Sequence, residues 1–576
     1  MKQTIHQFLA VILKEMGVSD AAIAVEVPEN PEHGDYTTNV AMLLSGRLKA
    51  PPIKIAQQIV DAITKHQKQS GGKNPDWLER VEVAPPGFIN LWLSEAYFGS
   101  QIAEVLAGKA GKKENVASFG KTKNIMVEFA HPNTHKAFHI GHLRNITTGE
   151  SIVRLLESQG NTVIRANYQG DVGMHIAKAL YALLELSPYK NEVTTVTGVK
   201  NRVEFLGKAY AAGSAAFEAS NEAKKAIGEI NKQIYAKDPA IYPLYQETRQ
   251  WSLEYFAAIY KRVGSRFDRL YFESECFSGV DRAKDAVKRG VLKESDGAII
   301  FDGNPYGLDT RVFVNSLGLP TYEAKELALS AMEVSEFGQL DRLIHVVGPE
   351  QASFFAVTFK AEELLGIVKP GVQHHLVYGW VKLKKGKMSS RLGNVVLGEW
   401  LLDEAKKEVY NILSKNKSNY TKEEQEVIAE AAAVAAVKYA FLRVGTKQDM
   451  AFDLKESVSF DCDSGPYLLY TYARCKSVLR KAQNLAFSIQ HLALNAEERS
   501  IARRIAQFPD VVAEAARNFT PNTLCTYLFH LAQEFNLFYA KHEILGNPQR
   551  LALTAATAQV LTNGLYLLGI PLVERM

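Results

Sequence analysis

Cysteine is scarce in this sequence, with only four among 576 residues, and no two of them form a CxxC pair. This spacing argues against a structural zinc site or a disulfide framework and favours free thiols in a reducing compartment. Long apolar runs are also missing, which argues against a transmembrane helix. Lys14 and Glu15 interrupt the apolar stretch near the N-terminus, so an amphipathic helix is expected there rather than a signal peptide. A cytoplasmic protein without a membrane partner is therefore expected.

An excess of charge of one sign is likewise absent. The formal net charge is +4 at pH 7, and 23% charged with 47% hydrophobic residues is ordinary for a globular chain. So small a charge does not predict a nucleic-acid partner by itself, although it allows one that binds a local surface. The chain is too long for a single core, and one domain per roughly 150 residues predicts three or four domains.

The residue pattern divides the chain into three regions. Residues 1–115 are expected to form a small α+β domain that ends in a linker rich in Gly, Lys and Ser. Residues 116–426 are expected to form an α/β domain, because a buried strand at 124–130 is followed by a helical pattern and a second strand. Such a βαβ unit implies a parallel sheet. Helical periodicity dominates residues 427–576, which predicts an α-helical C-terminal domain.

Two parts of the middle region depart from its alternating pattern. Residues from about 185 to 300 are largely helical and lack chemical signatures, so they are interpreted as an insertion in the sheet domain. The sheet is expected to resume at 343–348 and 375–383. The polar segment 414–426 is expected to be a loop that precedes the C-terminal helices.

Four histidines, at positions 131, 135, 139 and 142, follow the first strand of the predicted sheet. A metal site is disfavoured, because Pro132 and Asn133 break the helix after His131 and no nearby Cys, Asp or Glu completes a ligand set. Capping of a helix start is the ordinary interpretation of any one histidine. However, open α/β folds bind ligands at this carboxyl edge, where helix N-termini suit phosphate. Gly141 would also let a flat base lie close to the backbone.

A glycine-rich dinucleotide fingerprint is absent, since no GxGxxG follows the first strand. A dinucleotide-dependent enzyme on a similar sheet is therefore not supported. A phosphate site at this edge would have to rest on the histidines and the helix start.

Two short motifs carry a resemblance to a known class of enzymes. His139-Ile140-Gly141-His142 resembles the nucleotide signature of class I aminoacyl-tRNA synthetases. Lys387-Met388-Ser389-Ser390-Arg391 resembles the second, lysine-containing signature of this class. The two motifs stand in the expected order around the βαβ pattern. Five longer segments of this chain resemble the arginyl-tRNA synthetase family in particular: EFAHPNTHKAFHIGHLRN, GDVGMH, LPTYEAKELA, GPYLLYTYAR and LLGIPLVERM. The similarity covers essentially the whole chain.

The resemblance implies a Rossmann-type parallel-sheet catalytic domain, a small N-terminal α+β domain that contacts the tRNA elbow, and an α-helical C-terminal anticodon-binding domain. It implies attack of the L-arginine carboxylate on the α-phosphorus of ATP, then transfer of arginine from the adenylate to the 3′-terminal ribose of tRNA(Arg). ATP is expected with Mg²⁺ as a substrate complex, without a tightly bound protein-liganded metal. A monomer is expected.

The resemblance implies four catalytic residues: His139, His142, Lys136 and Lys387. Phosphoryl chemistry needs mainly positioning and neutralisation of negative charge, which histidines and lysines provide. Ser390 stands where the class has a second lysine, and Lys136 is expected to supply that charge. The residues expected to bind ATP are His139, Gly141, His142, Lys387, Met388 and Ser389.

The residues expected to bind arginine are Glu128, Asn133, Tyr322, Glu326 and Gln351. A guanidinium is a planar cation that carboxylates and hydrogen-bond acceptors match best. Tyr322 and Glu326 are four apart on a predicted helix, so both can face one pocket. Glu326 stands where the family usually has Asp, and the resemblance implies that Glu128 and Asn133 hold the α-amino end of the substrate.

The residues expected to contact tRNA are Phe88 and Asn90 at the elbow, and Tyr470, Arg474 and Met576 at the anticodon. Aromatic and arginine side chains on helices can stack on and hydrogen-bond unpaired bases. Phe88 could equally belong to the core of the N-terminal unit.

Two alternatives remain open from the sequence. Another class I synthetase would carry the same ATP signatures, although the N-terminal unit, the place of Lys136 and the helical C-terminus disfavour it. A non-catalytic tRNA-binding paralogue would show erosion of the ATP site, yet His139, Gly141, His142 and Lys387 are all present. The sequence also departs from the family at His135, where a small residue is usual.

Overall fold

The computed structural model describes residues 1–69, 75–108, 122–384, 396–415, 420–482, 487–489 and 493–576. The domain boundary expected near residue 115 lies outside these ranges, as do Lys387, Met388 and Ser389. Within the described ranges, every helix is too short or too polar to cross a membrane.

The N-terminal unit packs helices against an antiparallel sheet. Its described elements are α1 (Lys2–Glu15), β1 (Tyr36–Thr38), α2 (Val40–Leu48), α3 (Pro52–Gln69), β2 (Leu78–Ala84), β3 (Phe88–Leu93) and α4 (Glu95–Leu106). The strand order is β1-β3-β2, with both pairs antiparallel. Helix α1 buries Ile5, Leu9, Ile12 and Leu13, which share one face of a helical period. The amphipathic N-terminal helix and the α+β character of this unit are therefore confirmed.

The middle region is built on a parallel sheet. Its strands and those of the small sheets beside it are β4 (Asn124–Glu128), β5 (Thr162–Gln169), β6 (Arg269–Phe272), β7 (Lys293–Ser295), β8 (Ala298–Phe301), β9 (Arg311–Val314), β10 (Arg342–Val347), β11 (Gln373–Val377), β12 (Val381–Leu383) and β13 (Met450–Phe452). The main sheet has the order β11-β10-β4-β5-β6, and every adjacent pair is parallel. Strands β7 to β9 form an antiparallel sheet, and β12 pairs in parallel with β13.

Helices surround the sheet and make up the C-terminal region. They are α5 (Ile140–Ser158), α6 (Met174–Glu185), α7 (Tyr189–Glu192), α8 (Val199–Ala219), α9 (Asn221–Ala236), α10 (Tyr242–Arg262), α11 (Gly279–Lys288), α12 (Tyr322–Phe337), α13 (Ala352–Leu365), α14 (Gly398–Lys415), α15 (Lys422–Leu442), α16 (Leu454–Ser457), α17 (Gly465–Lys481), α18 (Ala496–Asn518), α19 (Pro521–Lys541) and α20 (Pro548–Leu567). Helix α5 joins β4 to β5, so the predicted βαβ unit is confirmed. The helical C-terminal region is confirmed as well.

Two boundaries differ from those expected. The stretch expected to be largely helical over 185–300 is interrupted after Arg262, because Arg269–Phe272 forms the edge strand β6 of the main sheet before α11 begins. A strand of four residues is too short for its apolar pattern to stand out after long helices. The loop expected at 414–426 is shorter, since α15 starts at Lys422. Thr421 and Glu424 form a capping box that starts this helix, so residue 426 lies inside it.

The N-terminal unit rests on helix α18 of the C-terminal region. Asp35 is buried beside β1, where it accepts a hydrogen bond from the Leu93 N–H at 2.7 Å and pairs with Arg499 and Arg503 of α18. The carboxylate is therefore satisfied from both sides of the contact. The N-terminal unit and the C-terminal region are thus joined by a buried ion pair.

Candidate active site

The loop between β4 and α5 holds three non-glycine residues in the left-handed backbone region. Ala130, His131 and His135 have φ values of 80°, 48° and 61°. Each such residue costs roughly 1–3 kcal/mol and persists only where its surroundings hold it. Here the Ala130 N–H donates to Asn145 Oδ1 at 2.7 Å, and the loop also donates from the N–H of Thr134 to the Gly170 carbonyl at 2.9 Å. The loop is thus fixed between α5 and the end of β5.

His139 and His142 cap the start of α5. His139 is the N-cap residue, and its Nδ1 accepts from the N–H groups of Gly141 at 3.1 Å and His142 at 3.4 Å. In return, His142 Nδ1 accepts from the His139 N–H at 3.2 Å, and the two rings stack with centroids 3.7 Å apart. Each ring therefore caps the helix through Nδ1 and leaves Nε2 outside the cap.

Both of these rings are neutral at physiological pH. Burial lowers the pKa of His139, and the charge of Lys136 lowers it further. Burial lowers the pKa of His142 well below its ordinary value, and the nearby rings and Lys136 add to the effect. Because each Nδ1 accepts hydrogen bonds, the proton of each neutral ring lies on Nε2. Two N–H donors are therefore fixed at a helix N-terminus, where phosphate oxygens are favoured.

Replacing His139 should separate its capping role from a role with ATP. In His139→Asn the side-chain oxygen can still cap α5, because asparagine is among the strongest N-cap residues. The thermal unfolding temperature should stay close to that of the wild type, whereas ATP-pyrophosphate exchange should fall ~100-fold through the loss of a phosphate donor. His139→Ala should lose the same activity and also about 1 kcal/mol of stability. Wild-type exchange by His139→Asn would show that the histidine only caps the helix.

His135 ties the same loop to α10. Its ring Nε2 lies 2.8 Å from Thr248 Oγ1, and its backbone N–H donates to Ser252 Oγ at 3.0 Å. Burial, together with the charges of His175 and Arg249, lowers the pKa of His135 to about 3. His135, which stands where the family usually has a small residue, is thus a buried, neutral anchor.

Acid should destabilise the protein through His135. Below the ordinary pKa of 6.5 the unfolded chain binds a proton at this ring, whereas the folded chain binds it only near pH 3. The free energy of unfolding should fall with decreasing pH in this window, by up to about 1.4 kcal/mol per pH unit from this group. His135→Gln cannot bind the proton, so its stability in urea should fall less between pH 7 and pH 5 than that of the wild type. Equal losses in the two proteins would contradict this assignment.

Lys136 lies beside the capping histidines. Its Nζ is 5.4 Å from the ring centroid of Tyr210 on α8. Burial is the largest cause of the lowered pKa values of His139, His142 and His175, and the charge of Lys136 lowers each of them further. The structure therefore brings one lysine charge and two imidazole donors together at the start of α5.

Glu128 and His345 form a buried pair on neighbouring strands. They are register partners on β4 and β10, and His345 Nδ1 lies 3.4 Å from Glu128 Oε1. Burial alone would raise the pKa of Glu128, but the hydrogen bond from His345 and its charge lower this pKa by more. The pKa of Glu128 therefore lies below its ordinary value. Burial lowers the pKa of His345, but Glu128 outweighs it, so this pKa is raised. His345 was not predicted as a site residue from the sequence, although the parallel register of the two strands could have placed it opposite Glu128.

Glu326 brings a further carboxyl group to this buried cluster. It is 4% exposed on α12, and its Oε1 has no hydrogen-bond partner among the described residues. Burial raises the pKa of Glu326 to about 8, with the charge of Glu128 adding to the shift and that of His345 opposing it. Burial also raises the pKa values of Glu333 and Glu362 well above normal, and neighbouring carboxylates add to it. The cluster thus holds four carboxyl groups against the single imidazole of His345, and a guanidinium would supply further positive charge.

The other residues expected to bind arginine lie nearer the surface. Asn133 is half-buried in the loop after β4 and forms a parallel bridge with Gly170. Tyr322 starts α12 and is 64% exposed, one turn before the buried Glu326. Gln351 is exposed at the start of α13. Of the five expected side chains, the two carboxylates are thus buried and the other three lie nearer the surface.

Residues 396–398, which follow the second signature, are hydrogen-bonded to the chain around the first signature. The Ile140 N–H donates to the Val396 carbonyl at 2.9 Å, and the Gly398 N–H donates to the Phe138 carbonyl at 2.8 Å. His139 and Leu397 form an antiparallel bridge between them. The segment that follows Lys387, Met388 and Ser389 in sequence is therefore fixed against the start of α5.

The two residues expected at the tRNA elbow differ in their exposure. Phe88 is half-buried at the start of β3. Asn90 is 5% exposed, and its Oδ1 accepts from Thr37 Oγ1 at 2.7 Å. Asn90 is thus buried and hydrogen-bonded within the sheet, whereas part of Phe88 reaches the surface.

The residues expected at the anticodon lie on an aromatic surface of the C-terminal region. The Arg474 guanidinium lies 4.7 Å from the Tyr470 ring centroid and 4.8 Å from that of Tyr539 on α19. Tyr470 and Tyr539 are 37% and 42% exposed, which leaves ring faces open to solvent. Met576 is half-buried against the core. Tyr539 was not predicted from the sequence, because one exposed tyrosine in a long helix carries no signal by itself.

Family models match three consecutive parts of the chain. The model described as tRNA synthetases class I (R), catalytic domain, matches residues 101–454. This match defines the class as that of the class I aminoacyl-tRNA synthetases. Models of the arginyl tRNA synthetase N terminal domain and the DALR anticodon binding domain match residues 1–93 and 468–576. The chain therefore belongs to the arginyl-tRNA synthetase family, and the resemblance seen in the sequence is confirmed.

Individual relatives agree with this assignment over nearly the full length. An arginine-tRNA ligase of Bdellovibrio bacteriovorus is 32% identical over 566 residues, which covers 95% of this chain and 93% of the relative. One from Treponema denticola is 32% identical over 579 residues, covering 96% and 95%. The arginyl-tRNA synthetase structure of Thermus thermophilus aligns with a TM-score of 0.81 at 25% identity and covers 100% of both chains.

Proposed function

We propose that this protein binds ATP and arginine side by side, and activates arginine, at the carboxyl edge of its parallel sheet. As an arginine-tRNA ligase, the protein activates L-arginine with ATP to arginyl-adenylate and transfers arginine to the 3′-terminal ribose of tRNA(Arg). One observation carries the assignment of the site: two neutral imidazole donors stand at a helix start, and buried carboxyl groups begin at Glu128, with His131 between them at 3.8 Å from Glu128 Oε1. The first suits a polyphosphate and the second a guanidinium.

ATP is proposed to bind at the start of α5. His139 and His142 donate from Nε2 to phosphate oxygens, and Gly141 keeps the cap compact, since a Cβ there would lie 2.9 Å from His139 Cε1. Lys136 supplies positive charge for the transition state at the α-phosphorus. We assign contacts with ATP also to Lys387, Met388 and Ser389, on the strength of the signature that they resemble.

Arginine is proposed to bind with its guanidinium towards Glu326. Tyr322 and Gln351 line the more exposed side of the same pocket. Glu128, held ionised by His345, and Asn133 receive the α-amino group. The carboxylate of the substrate then points towards the start of α5, where the α-phosphorus of ATP must lie for the in-line attack.

tRNA(Arg) is proposed to contact the two outer regions. Residues 1–115 form the unit that contacts the tRNA elbow, through Phe88 and the strand that carries Asn90. Residues 116–426 form the catalytic domain. Residues 427–576 bind the anticodon through Tyr470 and Arg474, with Met576 nearby, because exposed tyrosines and a guanidinium stack on unpaired bases.

Mg²⁺ is proposed to arrive as part of the ATP complex. Among the described residues, no three His, Cys, Asp or Glu side chains are grouped so as to hold a metal ion. We further propose a monomer that acts in the cytoplasm. Light scattering of the purified protein measures the mass directly, and a dimer would contradict the proposed state.

The test of the function is charging of tRNA(Arg) transcript with each of the twenty amino acids in turn. Arginine alone should give acid-precipitable charged tRNA in the presence of ATP and Mg²⁺. Charging with a different amino acid would favour another class I specificity. Binding of the transcript without charging by any amino acid would favour a non-catalytic tRNA-binding paralogue.

A further inference from the structure

Arg144 is a buried guanidinium on α5, one turn beyond the capping histidines. Its side chain is 1% exposed. Nη1 donates to the carbonyls of Gly379 at 2.7 Å and Trp380 at 3.1 Å. Nη2 donates to the carbonyls of Thr446 at 3.4 Å and Gln448 at 2.8 Å. The forked head of one side chain thus holds two separate backbone segments.

These two segments lead into the parallel strands β12 and β13. The Gly379 N–H donates to the Thr446 carbonyl at 3.0 Å, and the Met450 N–H donates to the Trp380 carbonyl at 2.9 Å. The approach is so close that a Cβ at Gly379 would lie 2.2 Å from the Gln448 carbonyl oxygen. Arg144 therefore closes the end of a two-stranded junction that only a glycine permits.

The junction lies immediately before the second signature. Strand β12 ends at Leu383, four residues before Lys387. After this motif the chain is bonded again to the start of α5, through Val396 and Gly398. The chain on both sides of the second signature is thus attached to the helix that carries the first. Before the signature, Arg144 attaches the chain to α5 through its hydrogen bonds to four carbonyls.

We propose that Arg144 is a positioning residue for the activation of arginine by ATP. It fixes the strand from which the second signature departs relative to His139 and His142. This inference rests on the proposed function of the two signatures. Lysine cannot replace the arginine, because an ammonium is a point charge and cannot reach four carbonyls with a planar fork. A misplacement of about 1 Å at a site of phosphoryl chemistry can cost ~100-fold in rate.

Arg154 provides a matched control on the same helix. It is also largely buried, and its Nη1 and Nη2 donate to the carbonyls of Tyr566 at 2.8 Å and Gly264 at 2.7 Å. Neither carbonyl belongs to β12, β13 or the segments that lead into them. A substitution of Arg154 therefore removes comparable hydrogen bonds from α5 without touching the junction.

The test compares Arg144→Lys with Arg154→Lys in the full-length enzyme. ATP-pyrophosphate exchange is measured with tRNA(Arg) present, and kcat is separated from the KM values for arginine and ATP. Arg144→Lys should lose ~100-fold in kcat while its KM for arginine stays within about threefold. Arg154→Lys should lower the unfolding temperature as much or more, yet keep kcat within about threefold of the wild type.

Several outcomes would overturn the inference. Equal kcat losses in the two variants would assign the effect to general stability, and a rise in the KM for arginine alone would place Arg144 in amino-acid binding. If Arg144→Lys does not fold, Gly379→Ala opens the same junction from the other side and should give the same selective loss in kcat. Inactivity of the wild type with every amino acid would instead refute the proposed function itself.

Discussion

Lys136→Ala should reduce the rate of arginyl-adenylate formation by ~100- to 1000-fold and change the dissociation constant of arginine by less than about threefold. The lysine stands beside the neutral rings of His139 and His142, and its charge already lowers the pKa values of both. Neutral imidazoles donate hydrogen bonds but carry no charge. Lys136 is therefore the described cation that can offset the negative charge that grows on the phosphates in the transition state.

Lys178 offers the control for this experiment. Its Nζ lies 4.3 Å from the ring centroid of Phe217 on α8, much as Lys136 approaches Tyr210 on the same helix. The pKa shifts of His139 and His142 include no contribution from Lys178. Lys178→Ala should thus keep the single-turnover rate. Lys136→Arg should recover part of the lost rate, and near-normal activation by Lys136→Ala would refute the assignment.

Glu326→Gln should raise the KM for arginine by ~100-fold or more while the KM for ATP changes little. Removal of one member of a buried charge pair costs roughly 2–5 kcal/mol, because the partner is left without compensation. The guanidinium of the substrate would be that partner. The preference for arginine over citrulline, its uncharged analogue, should fall by a similar factor, since the amide cannot distinguish a cation from a urea by charge.

The pH dependence of arginine binding provides an independent check on Glu326. Burial raises the pKa of Glu326 to about 8 in the protein without substrate, so at pH 7 the carboxyl must lose its proton before it pairs with a guanidinium. The KM for arginine should therefore fall as the pH rises through 8 in the wild type. In Glu326→Gln this dependence should disappear. A flat profile in the wild type would show that Glu326 does not face the guanidinium.

Glu333→Gln tests whether the effect is specific to Glu326. Burial raises the pKa of Glu333 well above its ordinary value, which favours the neutral carboxyl, and an amide of equal size replaces this neutral form with little change in charge. The KM for arginine should stay within about threefold of the wild type. A loss as large as that in Glu326→Gln would mean that the whole cluster acts as one unit.

The architecture followed from local patterns wherever an element was long and strongly periodic. The strand that ends at Glu128, the helix from Ile140 and the strand from Thr162 were predicted as one βαβ unit, because each has a clear apolar period. Strand β6 was not predicted, because its four residues follow about seventy residues of largely helical pattern. The start of α15 was placed late, although Thr421 and Glu424 form a capping box that a sequence reader can recognise.

The site itself was only partly visible in the sequence. The helix start at His139 was predictable from the motif and the strand before it. The pairing of His345 with Glu128 and the hydrogen bonds of Arg144 were not, because both depend on the register between segments over two hundred residues apart. The anchoring of His135 depends in the same way on its packing against α10. Tertiary contacts of this kind leave no period in the sequence.

ATP-pyrophosphate exchange with each amino acid, with and without tRNA(Arg), tests the central claim most directly. The account predicts exchange that depends on arginine when tRNA(Arg) is present. Exchange specific for another amino acid, or none with arginine and tRNA(Arg) together, would contradict it.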